Sequence, residues 1–99
     1  MLDNVKKLWQ LQSKARQIQK ELRRYEIKSE GAGGKIVVTF NGEQKLENLE
    51  IDDELLSPDK KNYLVRELTD AFAAGMKEAQ KVAASKMKAI TGDLGIPGM

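Results

Sequence analysis

Cysteine and histidine are both absent from the 99 residues. Without thiols, disulfides, thiolate metal sites and thiol catalysis are excluded. Without imidazole, the chain lacks the commonest general base and the commonest metal ligand. Aromatic side chains are scarce, with one Trp, two Tyr and two Phe, so a single domain of this length can bury only a modest core. No apolar run approaches the roughly 18 residues of a membrane span. The stretch from Met1 to Lys7 enters a polar helix with no signal-peptide core, so a reduced, cytosolic compartment without a membrane partner is expected. With 40% hydrophobic and 32% charged residues, the composition is that of a globular chain rather than a disordered one.

What is present is a partition of charge. Residues 1–24 carry seven basic side chains (Lys6, Lys7, Lys14, Arg16, Lys20, Arg23, Arg24) against Asp3 and Glu21, a formal +5. Residues 25–57 set eight acids against Lys28, Lys35 and Lys45, a formal −5, and residues 58–99 return to +2. The overall +2 conceals two basic segments around an acidic centre. Positive charge clustered on one element attracts a polyanion even when the whole chain is nearly neutral.

Leu8, Leu11, Ala15, Ile18, Leu22 and Tyr25 step by three and four alternately, the spacing of a coiled-coil seam. This predicts a helix over about 2–24, roughly 33 Å long, with its basic residues on the outer arc. Trp9 is off the seam, which suggests a second contact surface or simple partial exposure. Gly31-Ala32-Gly33-Gly34 breaks the helical pattern. Lys35–Phe40 is β-branched and aromatic, with Ile36, Val38 and Phe40 on one face. Asn41-Gly42 predicts a type I′ hairpin turn. The return strand spans about Gln44–Ile51, with Leu46 out of phase and a bulge expected there. Ile27, in Tyr25–Glu30, centres a first strand, because two strands alone would be marginal.

Ser57-Pro58 predicts the start of a second helix, with serine as N-cap and proline at the first position. Its expected apolar stripe is Val65, Leu68, Phe72, Met76, Ala79, Ala83, Met87 and Ile90, close to the repeat of a straight helix. The helix is expected to run over about 58–91, roughly 50 Å, leaving 92–99 as a loose Gly-rich tail. A single domain over 1–91 follows, of α+β class, with two long helices flanking a small antiparallel sheet. Met87 and Ile90 would overhang the shorter first helix, and the sheet has edges to cover, so a symmetric dimer is expected.

Gly31-Ala-Gly-Gly-Lys35 superficially suggests a phosphate loop, but that loop needs GxxxxGK[ST] feeding a helix, and this run feeds a strand. Glu50–Glu54 lacks the alternating pattern of a calcium loop, so these are acids preceding a helix and no metal site is expected. Met76 and Met87 read as core filler. Nothing marks any carboxylate pair for acid–base work. No enzyme, cofactor or small-molecule substrate is expected. The cations, by contrast, have order: Arg66, Lys77 and Lys88 lie 11 apart and share one face, with Lys81 one turn beyond Lys77.

Gly31–Gly42, Leu49-Glu-Ile-Asp-Asp-Glu-Leu-Leu56 and the helix start Pro58-Asp59-Lys60 together resemble the YbaB/EbfC family of bacterial nucleoid-associated proteins. The Gln- and Lys-rich first helix, Lys86-Met87 and the Gly-Ile-Pro-Gly tail extend the resemblance over nearly the whole chain. One departure is Ala73-Ala74, where the family often has Asn-Asp. The resemblance implies an α-β-β-β-α protomer, a homodimer shaped like tweezers, and double-stranded DNA as partner in the cytoplasmic nucleoid, bound with weak or variable sequence preference.

Charge placement, not a family motif, selects the expected DNA contacts: Lys7, Lys14, Arg16, Lys20, Arg23 and Arg24 on the first helix, and Lys77, Lys81, Lys86 and Lys88 on the second. These would position phosphates without reading sequence. Two alternatives stand beside this reading. One is a chaperone-like module of prefoldin outline, against which the lysine-bearing tips argue. The other is an accessory subunit that uses the same lysines to hold an acidic protein.

Overall fold

A computed structural model of the chain describes the backbone of residues 2–93 and the side chains of residues 4–88. The order is α1 (Leu2–Arg23), β1 (Ile27–Gly31), β2 (Ile36–Phe40), β3 (Leu46–Ile51) and α2 (Lys61–Asp93), the α-β-β-β-α arrangement expected. The three strands form one antiparallel sheet in the order β1-β2-β3. Expected bounds move by a few residues: Tyr25 and Glu26 precede β1, and a 3-10 turn over Pro58–Lys60 leads into α2. Helix α2 also continues through Gly92 to Asp93. The side chain of Ile90 and the rest of the expected tail, 94–99, lie outside the described residues.

The core lies between the helix-facing side of the sheet and α2. Ile36, Val38 and Phe40 are fully buried, as their alternation requires, and Leu55, Ala71 and Ala79 join them. The bulge falls where Leu46 is out of phase. Thr39 pairs with Asn48 but Phe40 pairs with Leu46, so Glu47 is the extra residue. Without that slip every side chain before it would change faces. The bulge brings Leu46 to the same face as Leu49.

The stripe expected on α2 is rotated. Its core-facing residues are Leu64, Leu68, Ala71, Gly75, Met76 and Ala79; Leu68, Met76 and Ala79 of the expected stripe are among them, and the centre moves about 50° around the helix from the expected line. Val65, Phe72 and Met87 are exposed. Small residues win the inner face because they allow close approach. A Cβ on Gly75 would stand 2.8 Å from the Phe40 ring and 3.2 Å from Ser29 Cβ. Phe72 turns its ring edge-on to Phe40, with centroids 4.9 Å apart.

The hairpin turn is not type I′. Gly42 has no positive φ; the left-handed residue is Gln44, at φ 67°. The Gln44 amide donates to the Asn41 carbonyl at 3.1 Å, and the Asn41 amide to the Lys45 carbonyl at 2.9 Å. This is a three-residue loop with the left-handed residue last. The buried Asn41 side chain accepts from the amides of Glu43 and Lys45. Glycine is required at 42 for a different reason. Its amide donates to the Leu22 carbonyl at 2.7 Å, and a Cβ would lie 2.8 Å from that same oxygen. The end of α1 is seated on this turn.

From that seat α1 runs outward beside the last turns of α2. Leu22 is buried, Leu11, Ala15 and Ile18 are half-buried, and Val5 and Leu8 are exposed. Lys86 fixes the crossing, with its Nζ 3.7 Å from Glu21 and 5.6 Å from the centroid of the Tyr25 ring. Its pKa is raised, first by a hydrogen bond to the Tyr25 oxygen and then by the electrostatic interaction with Tyr25; burial opposes the rise, and the Glu21 carboxylate adds a lesser contribution. From this crossing about 28 Å of α1 projects outward against about 10 Å of α2. The expected overhang is thus reversed: α2 spends most of its length on the sheet, and α1 is the longer arm.

Two outcomes follow. Gly42→Ala should lower global stability by about 1–3 kcal/mol through overpacking against Leu22, seen as a reduced urea midpoint at unchanged slope. Lys86→Ala should raise amide exchange across residues 15–22 of α1 while β2 keeps its protection. Because the folded pKa is raised, the contribution of Lys86 is complete below the ordinary lysine value of 10.5 and is lost as pH rises through the higher folded value. The wild-type arm should therefore loosen at alkaline pH, and the Lys86→Ala arm should show less of this change.

Candidate nucleic-acid interface

The structure divides the expected contact residues by face. On α1, Arg16, Lys20 and Arg23 are exposed and lie away from the seam of Leu11, Ala15, Ile18 and Leu22, and Arg24 is exposed just past the helix end. Among the described residues no carboxylate stands within ion-pair distance of Arg16, Lys20 or Arg24. Arg23 differs, because its Nε meets Glu43 Oε1 at 2.5 Å, which ties the helix end to the hairpin and offsets its charge. Lys7 and Lys14 lie within about 70° of the seam, and Lys14 is half-buried. They flank the seam rather than join the outer arc. Lys6, absent from the expected set, is exposed and falls on that arc at 3.6 residues per turn. A helical projection of the sequence would have found it.

On α2, Arg66, Lys77, Lys81 and Lys88 occupy one sector about 60° wide, opposite the core-facing line. Lys77 and Lys81 are exposed, and Lys81 pairs with Glu78 across one turn at 3.4 Å. Arg66 lies over the Tyr63 ring at 5.6 Å. Lys86 is separated from this group, since it points into the crossing with α1.

The seam between the helices is formed by the inner faces of both. The basic sectors of α1 and α2 therefore point away from each other, one on each side of the arm. Among the described residues, no basic cleft lies between the two helices of one protomer.

The sheet region keeps the acids. Glu47 and Glu50 are exposed on β3, and Lys35 pairs with Glu54 near the sheet's end. That carboxylate raises the Lys35 pKa, first by hydrogen bonding and then by its charge. Ser57, expected as an N-cap, makes no side-chain cap bond to the backbone. Its hydroxyl instead holds the Asp59 carboxyl below the usual range. The glycine run forms a tight turn in which the amide of Ala32 donates to Glu67 Oε1 at 3.1 Å. A carboxylate occupies the amide that a phosphate loop would offer. No helix among the described residues is long and apolar enough to cross a membrane.

A further surface has an apolar lining that residue spacing did not reveal. Helix α2 lies across β1 and β2, and β3 is an edge strand whose residues are exposed but for half-buried Ile51. Leu46, Leu49, Leu68, Thr69, Phe72 and Ala73 line a 400 Å3 groove between β3 and α2. The bulge that turns Leu46 inward and the rotation of α2 that leaves Phe72 outward both feed it. Ala73, where the resemblance would have a polar side chain, forms part of its wall.

Comparisons with known proteins agree with this architecture. Residues 1–94 match the model of the YbaB/EbfC DNA-binding family. A nucleoid-associated protein of Methylocella silvestris is 33% identical over 97 residues, covering 98% of this chain and 91% of that protein. One from Rhodopseudomonas palustris is 34% identical over 96 residues, covering 97% and 91%. The crystal structure of an uncharacterized protein from Helicobacter pylori superposes with a TM-score of 0.78 at 25% identity, covering 84% of this chain and 87% of that one. With a family model spanning nearly its whole length and relatives above 30% identity, the chain belongs to the YbaB/EbfC DNA-binding family.

Proposed function

We propose that the protein is a non-enzymatic, nucleoid-associated DNA-binding protein that works as a homodimer and lies along duplex through the outer faces of its arms. The observation that carries this reading is the exposed basic face of α1, with Lys6, Arg16 and Lys20 set around the helix from the seam and exposed Arg24 just past its end. Family membership supports the same partner. Long, exposed cations on a helix neutralise phosphates and carry little sequence information. The opposed basic sectors favour contact along each arm, or between the arms of two protomers, over a grip between α1 and α2 of one chain.

The dimer reading rests on the groove beside β3. An edge strand with an apolar face invites pairing with a second copy, and Leu46, Leu49 and Phe72 would close against their symmetry mates. This would bury the side of α2 that its own sheet leaves open.

A second reading keeps one observation in its favour. The tip of α1 exposes Val5, Leu8 and Trp9 at 64%, 60% and 68%, an apolar patch that lysine-bearing tips were not expected to show. A holdase would use such a patch.

Binding to unrelated duplexes should weaken with salt at a log–log slope near −5, for about six phosphates neutralised. A slope near zero removes the electrostatic mechanism. Reversing Arg16, Lys20 and Arg24 to Glu should abolish duplex binding with the fold intact by circular dichroism, and unchanged affinity would place the contact elsewhere. Light scattering should give a mass twice the 11.1 kDa of the chain, falling to one chain in Leu46→Lys/Leu49→Lys. A monomeric wild type sinks the dimer. Suppression of aggregation of an unfolded protein without any DNA retention would favour the holdase.

A further inference from the structure

We propose that the outward face of α1 centred on Trp9 is a subsite for unpaired nucleotides. The indole stacks on an exposed base while Arg16 and Lys20 hold the phosphates that follow it. The proposal deepens the nucleic-acid reading above and rests on it.

Trp9 is the single tryptophan of the chain and stands 68% exposed. It does not serve the helix seam. With Ser13, Arg16, Gln17 and Lys20 it lines a concavity of 310 Å3, centred about 170° around α1 from Leu11, Ala15, Ile18 and Leu22. All five lining residues belong to one face of α1, so the concavity is an open platform for a planar group rather than an enclosing pocket. The lining mixes three chemistries along the helix. The flat apolar ring comes first, then the hydroxyl of Ser13, the guanidinium of Arg16 starting about 10 Å from Trp9, the amide of Gln17 beside it, and the ammonium of Lys20 starting about 16 Å away. A nucleotide strand offers a partner to each: a π-face for the ring, polar base edges for the hydroxyl and amide, and phosphates for the two cations.

Among the described residues the lining holds no carboxylate, so an anionic ligand meets cations and neutral groups there. Duplex DNA keeps its base faces covered by stacking, whereas an unpaired strand offers every one of them, and an aromatic side chain binds them with little regard to sequence. Val5 and Leu8, which would extend an apolar patch for a protein ligand, lie toward the seam side of Trp9 and outside the concavity. The geometry therefore favours a single strand over both duplex and peptide, and would place the protein at gaps, frayed ends and bubbles as well as on duplex.

Because Trp9 is alone, its fluorescence in the intact chain reports this face. Titration with a thymidine homopolymer strand should quench at least half of the emission, and a duplex of equal length should leave it near the free value. Labelled-DNA anisotropy should show Trp9→Ala losing about tenfold in single-strand affinity, the scale of one lost stacking contact. Trp9→Phe should keep most of that affinity, and duplex affinity should stay within about twofold in both variants, whose helix content circular dichroism would verify. Single-strand binding without quenching overturns the subsite, as do equal losses for single strand and duplex in Trp9→Ala. Quenching by an unfolded protein but by neither DNA overturns it too and assigns the face to protein capture. If wild type retains duplex but none of these Trp9 effects is seen, the subsite alone fails; if wild type binds neither DNA, the nucleic-acid reading fails with it.

Discussion

The close seat of α2 on the sheet determines what the rest of the molecule can present. Ala71, Gly75 and Ala79 recur every four residues on the face turned to the strands, so the helix backbone comes down onto Phe40 with almost no side-chain volume between. Glycine inside a helix is unfavourable by about 1 kcal/mol relative to alanine. Here that loss is offset by burial of the Phe40 ring, whose transfer from water is worth roughly 1.5–3 kcal/mol. Once the inner face is fixed, every other position on α2 follows from 3.6 residues per turn. Lys86 must face α1, Arg66, Lys77 and Lys81 must face outward, and Val65 and Phe72 must stand at the flank beside β3.

The second constraint is the joint between α1 and the hairpin. It is made by backbone at Leu22 and Gly42 and by ion pairs at Arg23 and Lys86. Such exposed pairs contribute little each, so the hydrogen bond and the burial of Leu22 hold the arm, and the charges orient it. The carboxylates spent there, Glu21 and Glu43, offset Lys86 and Arg23. Among the described residues, Arg16 and Lys20 farther along α1 and Arg24 just past its end have no carboxylate within ion-pair distance, so the outer face stays basic although the whole chain carries only +2.

Much of this was legible in the residues. Alternation of Ile36, Val38 and Phe40 gave the buried strand, and the out-of-phase Leu46 located the bulge. The rotation of α2 was not legible, because large apolar residues such as Val65, Phe72 and Met87 dominate any periodicity count, while the positions seated closest on the sheet, Ala71, Gly75 and Ala79, are small. Asn41-Gly42 misled for a related reason: glycine there serves the approach of Leu22, a contact made by a helix nearly twenty residues away, and local turn statistics contain no such term. Helix lengths likewise could not show which arm overhangs, since they are silent on how much of α2 lies on the sheet. The basic faces suffered least. Charge lies on surfaces that solvent exposes, and helical geometry alone places most of it; Lys7 and Lys14, which flank the seam, and Lys86, which points into the crossing with α1, depart from the outer arcs.

Separation along the arm also explains how opposed basic sectors can serve one polyanion. Arg16 stands about 10 Å along α1 from Arg23, where Glu43 sits, close to one Debye length at 0.1 M ionic strength. At that distance the hub acids are largely screened, and a phosphate beside Arg16 responds to the local cations. A duplex lying along one side of the arm leaves the other sector facing solvent or a second duplex. Two such arms in a dimer would then offer four basic faces rather than one cleft. That geometry suits coating or bridging of DNA better than enclosure, because enclosure needs cations that converge and these diverge. The divergence comes from the seam itself: helices that bury their inner faces against each other must turn their charge outward.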